Sequence, residues 1–263
     1  MLYEVIMSTI KNDTVLNDRN WVNLINLYDF KTKNNDSYSR VISPTLSYNS
    51  DKYAWPIFTM IDNCPPAMNE FVDSIDKGIQ SGVLPRLILT HPRLYDDQKL
   101  SDLFKDKMIR QLDEWTGIYY DTSWGAPFND AIPNFRTQLV KSEEHINLWH
   151  KLLSQFMFKD QQLPLDRLLS DNIVKLLGFE GDTPVATAMM YIDNDDSAGT
   201  HMGVVHPDYR IKGYGKKIIN DLIVIAIERQ RKILFSQSTR RGYKAWTSMG
   251  WKETGNLKIY SKL

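Results

Sequence analysis

Twelve residues, Val205-His-Pro-Asp-Tyr-Arg-Ile-Lys-Gly-Tyr-Gly-Lys216, constrain this chain more than any other stretch. They follow a strand-like run, His201-Met-Gly-Val-Val205. They open a helix-length segment from about Gly213 to Arg231, whose apolar middle is Ile218 to Ile227. The start of a helix carries unpaired backbone N–H groups and the positive end of the helix dipole. Glycines at 213 and 215 let the backbone approach a ligand closely and take up conformations that other residues resist. Arg210, Lys212 and Lys216 add positive charge at the same point. Together these features predict a cradle for a pyrophosphate. Two better-known phosphate turns do not fit. A dinucleotide fingerprint needs a third glycine where Ile218 stands, and a Walker A loop needs Ser or Thr where Lys217 stands. The plain alternative is a basic turn opening an ordinary helix.

The flanking elements favour the cradle. Phe135–Val140 reads as a strand. Ser142, followed by Glu143, Glu144 and His145, starts a helix as an N-cap with acids in the first turn. Ile146, Trp149, Leu153 and Phe156 share one face of that helix, and a short helix over about Asp166–Asn172 follows. Strand-like runs Lys175–Phe179 and Val185–Ile192 are joined by the hairpin pair Gly181-Asp182, and the turn Asp193–Asp196 leads into His201–Val205. After the long helix come a strand at Lys232–Ser236, a helix near Arg241–Met249 and a last strand near Leu257–Ser261.

In this setting the turn resembles motif A of the GNAT acetyltransferases, V-x-P-x-x-[RQ]-x-x-G-x-[GA]. Val205, Pro207, Arg210, Gly213 and Gly215 meet every fixed position. Gly242-Tyr-Lys-Ala-Trp246-Thr-Ser-Met-Gly250-Trp251 resembles motif B, whose usual form ends in Tyr-x-x-x-Gly-Phe. The resemblance covers about half the chain. It implies transfer of an acetyl group from acetyl-CoA to a primary amine of a small molecule or peptide. Arg210, Ile211, Lys212, Gly213, Tyr214, Gly215 and Lys216 would hold the CoA pyrophosphate. Val204 and Val205 would lie along the pantetheine, with a backbone N–H near Val205 on the thioester carbonyl, and Thr239 and Trp246 would complete the cofactor site. Direct transfer in a ternary complex fits better than an acyl-enzyme, because the sole cysteine, Cys64, lies far from both motifs.

The proton acceptor implied is His201, nine residues before Arg210, where the related arylalkylamine N-acetyltransferases carry a catalytic histidine. Strand alternation sets it on the same face as Gly203 and Val205 unless a bulge intervenes. The alternative is a structural histidine on a half-buried strand; His206, in the turn, is a weaker candidate. The proton donor departs from the family pattern. Trp246 stands where the family's tyrosine would, and Thr239 replaces an asparagine common seven residues earlier. Tyr243 or solvent would then return the proton. A non-catalytic CoA-binding regulatory module is the rival reading that Trp246 favours. Acylation of a peptidyl or tRNA-linked amine is a further rival, less attractive at zero net charge.

The first half alternates shorter signals. Polar runs at Lys31–Ser39 and Ser47–Asp51 read as loops, and Tyr53–Met60 and Arg86–Thr90 as strands. Phe71, Ile75 and Ile79 follow helical spacing, as do Leu100, Leu103, Phe104, Met108 and Leu112. The Gly/Pro/Asn-rich stretch Ser123–Pro133 is the candidate linker. The expected fold class is therefore α/β (α+β): a mixed, twisted sheet flanked by helices in 134–263, preceded by a second α/β region in 1–133. By analogy with tandem members of the superfamily, that region would be a degenerate copy of the same fold.

Composition narrows the partners. Thirty-two basic residues balance thirty-two acidic ones, which argues against nucleic-acid binding through bulk charge. One cysteine rules out an intramolecular disulfide and any multi-cysteine metal site, and His91, His145 and His150 lack zinc spacing. No metal is expected. Asp193-Asn-Asp-Asp196 lacks the Gly and Glu of a calcium loop and reads as a solvated hairpin turn. Trp55 and Trp124 are candidate substrate contacts. With no signal-like N-terminus and no long apolar run, a cytoplasmic protein without membrane partners is expected.

Overall fold

The computed structural model describes residues 15–28, 38–41, 45–50, 58–128, 131–158 and 170–263. Two compact units divide the chain: 1–31 with 117–254, and 32–116 with 255–263. The boundaries are not those of the 1–133 and 134–263 reading. They fall inside two long strands, β5 (Ile109–Asp121) and β11 (Lys252–Lys262).

In the 32–116 unit, β1 (Tyr38–Val41), β2 (Thr45–Ser50) and β3 (Phe58–Ile61) pair antiparallel in succession. Helix α2 (Met68–Gln80) then carries the chain to β4 (Leu87–Thr90), parallel to β3. Strand β11 pairs antiparallel with β4, Ile259 opposite Leu89. Phe71, Val72, Ile75 and Ile79 form the buried stripe of α2, as their spacing predicts. Helix α3 (Gln98–Asp106) is capped by the Asp97 side chain, which accepts from the Leu100 N–H at 2.9 Å. Phe104 packs edge-on against Tyr260, ring centroids 4.9 Å apart.

Three expectations change here. Helical spacing past Phe104 continues through Met108 and Leu112, but Met108 turns at φ +58 and Leu112 lies in β5. Ser47–Ser50, expected as part of a loop, belongs to β2, because Ser47 and Tyr48 pair with β3 and all four residues pair with β1. Tyr38 and Ser39 are likewise strand, in β1. Residues 53–57, including Trp55, and 166–169 of the expected helix lie outside the described residues, and 170–172 form a turn.

In the other unit, β6 (Phe135–Leu139), β7 (Ile173–Glu180), β8 (Thr183–Ile192) and β9 (Ser197–Val205) pair antiparallel in succession. Helix α5 (Tyr214–Glu228) then leads to β10 (Ile233–Thr239), parallel to β9. The end of β5 lies beside β10. Each unit thus repeats one scheme of antiparallel strands followed by a parallel pair across a helix. The 32–116 unit also completes its sheet with a strand from the distant end of the chain, β11.

One face of this second sheet packs on α5, with Leu176, Ala188, Leu222 and Ile223 at the centre. Helix α4 (Glu143–Leu153) begins at Ser142, whose hydroxyl accepts from the His145 N–H at 3.2 Å, and buries Ile146, Trp149, Leu152 and Leu153. Phe156, expected on that face, is exposed past the helix end. Residues 15–28 form helix α1. Its Asn20 amide donates to the carbonyls of Ile118 and Ser236 and to Thr254 Oγ1 at 3.2–3.4 Å, and Arg19 pairs with Asp195 and Asp196. Among the described residues no helix is long and apolar enough to cross a membrane, and none of their His, Cys, Asp and Glu side chains form a metal-binding group of three or more.

His91 links this packing to pH. It is 1% exposed, and its Nδ1 accepts from the Arg93 N–H at 3.0 Å. Burial first, and the Arg93 charge second, push its pKa down from 6.5 to about 3. The folded state therefore holds a neutral imidazole where the unfolded chain binds a proton, so this contribution is complete above pH 6.5 and is lost as pH falls toward 3. In urea titrations at pH 7 and pH 4.5, the wild type should lose up to about 1.4 kcal/mol per pH unit more than His91→Asn.

Candidate functional site

The glycine turn opens a helix whose start is left uncapped. Helix α5 begins at Tyr214 with Gly213 as its N-cap at φ +86, and no side chain caps the first turn. The first-turn N–H groups are thus left to a ligand or water. Ile211 also lies in the left-handed region, at φ +69, with its side chain fully exposed. A β-branched residue pays a steric cost there, and such strain collects at functional turns.

The cations take different roles. Arg210 Nε donates to the Val205 carbonyl at 3.1 Å, folding the guanidinium back over the end of β9. Lys212 Nζ meets both Glu180 oxygens at 3.0 and 2.9 Å, and Tyr214 donates its hydroxyl to Glu180 at 2.7 Å. The hydrogen bonds from Lys212 and then Tyr214 hold the Glu180 carboxyl below its ordinary pKa, and the Glu180 partner raises that of Lys212. Lys217 pairs with Asp221 one turn along α5. Arg210 and Lys216 make no ion pair among the described residues, which leaves their charge to a ligand.

A cleft leads away from the turn because two parallel strands part. Pairing of β9 with β10 runs from Ser197↔Ile233 to Thr200↔Ser236, yet the strands continue to Val205 and Thr239. On its other side β9 stays paired to β8, with Val205 opposite Ala186 and Val204 opposite Thr187. Helix α6 (Tyr243–Thr247) follows β10. Thr187, Gly203, Val204, Val205, the first turns of α5 and, beyond β10, Gly242, Ala245, Trp246 and Met249 line a largely apolar cleft. Its walls approach closely at the glycines. A side chain on Gly215 would meet Val205 Cγ2 at 3.4 Å, and one on Gly242 would meet Ser238 Oγ and Trp246 Nε1 at 3.3 Å.

The structure therefore gathers Val204, Val205, Gly215, Lys216 and Trp246 at the cleft, while Arg210 to Tyr214, just before Gly215 in the chain, are not among its lining. Thr239 stands apart from the lining and caps the turn before α6, where its carbonyl accepts from the Gly242 N–H at 3.0 Å. Tyr243 is also outside the lining: its hydroxyl donates to Glu253, a hydrogen bond that raises the phenol pKa. His206 packs edge-on against Phe156 and Tyr209, at 5.1 and 5.5 Å. Trp124 packs against Tyr120 and lies under the Lys252 ammonium. Lining residues that the motif does not mark are Thr187, Ile218, Ile219, Ala245 and Met249. In sequence these look like ordinary core.

His201 stands on the other face from Val205, contrary to simple alternation. Met202 takes φ +54, and the β8 register runs Thr187↔Val204 and then Met189↔His201, so one residue of β8 opposes two of β9. That bulge reverses the faces upstream of it. Val205 packs toward α5, while the His201 ring leans over Gly199 beside Asn23 of α1. Its position is just past Thr200, where β9 and β10 begin to part. The turn 193–196 is a hairpin turn, as its composition suggests, but Asp193 is buried and accepts from Asn23 and Asn26.

Residues 142–249 match the model of the acetyltransferase (GNAT) family. A search of curated proteins returns no match. Among solved structures, a GCN5-related N-acetyltransferase from Kribbella flavida superposes with a TM-score of 0.65 at 11% identity, over 86% of this chain and 90% of that one. A functionally unknown conserved protein from Staphylococcus epidermidis gives 0.64 at 14%, over 88% and 96%. A tandem GNAT protein from the clavulanic acid biosynthesis pathway gives 0.54 at 8%, over 82% and 77%. At these identities the likeness is one of fold.

The strain at Ile211 predicts a stability change. Ile211→Gly removes the Cβ clash in the left-handed region and sacrifices no packing, since the side chain is fully exposed. Urea unfolding should show a gain of about 1 kcal/mol, consistent with the cost of left-handed backbone in a residue with a Cβ.

Proposed function

We propose that this protein transfers an acetyl group from acetyl-CoA to a primary amine, a reading supported by the match of residues 142–249 to the GNAT acetyltransferase family model. The observation that carries the reading is the parting of β9 from β10 beside an uncapped, glycine-bounded helix start. An extended pantetheine arm fits between parted strands as an added strand would, and a pyrophosphate fits the N–H groups of α5. Arg210 and Lys216 supply charge at the turn, and Val204, Val205 and Trp246 line the apolar path. When bound, acetyl-CoA supplies an acyl group activated as a thioester.

The chain's own residues then have two tasks. One is to place the acceptor on the face opposite α5, since α5 covers the other. The second is to take a proton from that amine, which attacks only when neutral; the position of His201, just past the point where the strands part, supports it in this role. The Trp246 indole has no proton to give near neutral pH, and Tyr243 is engaged by Glu253, which supports water as the source for the departing sulfur. A primary amine acceptor in a small molecule or peptide, and a cytoplasmic setting, belong to the same proposal. The repeated strand scheme of the 32–116 unit supports a degenerate second copy. The loop there between β3 and α2, Asp62-Asn-Cys-Pro-Pro-Ala67, has no glycine and no basic residue to make a second cradle.

Trp246 in the cleft also favours a second reading, a module that binds CoA without catalysis. A screen of diverse amines decides between the two: acetyl-CoA binding without consumption would support the module.

Two substitutions test the parts separately. Gly215→Glu sets a side chain and a carboxylate against Val205, where the phosphates must approach. Calorimetry should show acetyl-CoA binding weakened at least tenfold, about 1.4 kcal/mol; unchanged affinity in a folded variant would remove the cradle from the reading. His201→Gln should leave that affinity nearly unchanged and lower turnover by about 10²–10⁴-fold. Full turnover in the variant would return His201 to a structural role.

A further inference from the structure

Three contacts converge on the residues either side of Gly213. Glu180, the last residue of β7, meets the Lys212 ammonium at 2.9 and 3.0 Å and accepts from the Tyr214 hydroxyl at 2.7 Å. Phe135, which pairs with Glu180 across β6 and β7, stacks on the Tyr214 ring with centroids 4.2 Å apart. The Lys212 ammonium also lies 5.0 Å from the Tyr209 ring and 5.8 Å from the Tyr214 ring. An exposed ion pair by itself holds little. Here the same carboxylate takes a charge-assisted hydrogen bond from a tyrosine that is 4% exposed, so the core fixes its place. Between these anchors the backbone takes forms that it does not keep unaided. Ile211 stands at φ +69 and Gly213 at φ +86. Left-handed backbone in a β-branched residue persists only where its surroundings over-determine it. Gly213 is the N-cap of α5, so this bend sets where the first N–H groups of the helix point. A glycine has the widest choice of backbone states, and the restraint on it must come from its neighbours.

We propose that Glu180 is a positioning residue for the cofactor site: by holding Lys212 and Tyr214 it fixes the glycine turn, before any ligand arrives, in the shape that takes a pyrophosphate. This rests on the reading of the turn as the pyrophosphate site of acetyl-CoA. It assigns Lys212 to the turn's own structure and leaves Arg210 and Lys216 as the cations for the ligand. A carboxylate beside an anion site repels the anion. Ordering a loose turn on binding also costs affinity, and a preformed turn avoids that cost. Removing Glu180 therefore has two effects of opposite sign, and the observed sign tells which governs.

The test is calorimetry of acetyl-CoA binding to the full-length wild type, Glu180→Ala and Tyr214→Phe. Charge alone predicts tighter binding by Glu180→Ala, which removes a negative group and releases the Lys212 ammonium. Positioning predicts binding weaker by about fivefold or more. Tyr214→Phe changes no charge and keeps the stack on Phe135; it should weaken binding by about twofold or more. In the ligand-free protein, 15N spectra should show single, sharp Gly213 and Gly215 amide signals in the wild type and broadened or doubled ones in Glu180→Ala. Equal or tighter binding by folded Glu180→Ala would overturn the proposal, as would glycine signals that it leaves unchanged. Should Glu180→Ala not fold, unchanged affinity in Tyr214→Phe would overturn it instead. A wild type that binds no acetyl-CoA, or a Gly215→Glu variant that binds as well as the wild type, removes the cofactor reading itself. The ligand role of Glu180 then falls with it, while the glycine signals still decide whether Glu180 fixes the turn.

Discussion

The site depends on a hydrogen-bond ladder that stops early. After Thr200 and Ser236 the parallel strands β9 and β10 share no further pairs among the described residues, yet both continue. Backbone groups on facing edges then need another partner, which a ligand with its own amides can supply. The bulge at Met202 accompanies the parting. It keeps β9 attached to β8 while twisting its end away, and Thr187 Oγ1 secures the displaced Met202 carbonyl at 3.0 Å.

The same bulge divides the site into two faces with different chemistry. Toward α5 lie Val205, the glycines and the cations, suited to a long anionic ligand. Toward α1 lie the polar side chains His201, Asn23 and Asp193. In the proposed reaction a nucleophile and an acyl donor meet from different directions, and a sheet that opens at one point would let each be held on its own side.

Motif A was legible because its physics is local. A helix start, two glycines and nearby cations act within a dozen residues, so their order along the chain is nearly their order in space. Ser142 as an N-cap and the 181–182 hairpin were legible for the same reason. The first half was harder. The polar strand at 45–50 is held by its partners β1 and β3, and Leu112 continues a helical spacing that the turn at Met108 interrupts. Lys212 counted as a ligand charge in sequence, but Glu180, thirty-two positions away, engages it.

Sequence alone determined the glycine turn, its likeness to a family motif and the order of elements around it, because these rest on short-range periodicity and on residues with special backbone freedom. Tertiary structure decided which face His201 occupies, since a one-residue bulge inverts every side chain beyond it. It also decided that helix 15–28 and the ends of β5 and β11 complete units assembled mainly from distant segments. Those pairings join residues more than a hundred positions apart. Their hydrogen bonds follow no sequence period, because any extended segment with the right alternation can supply an edge strand.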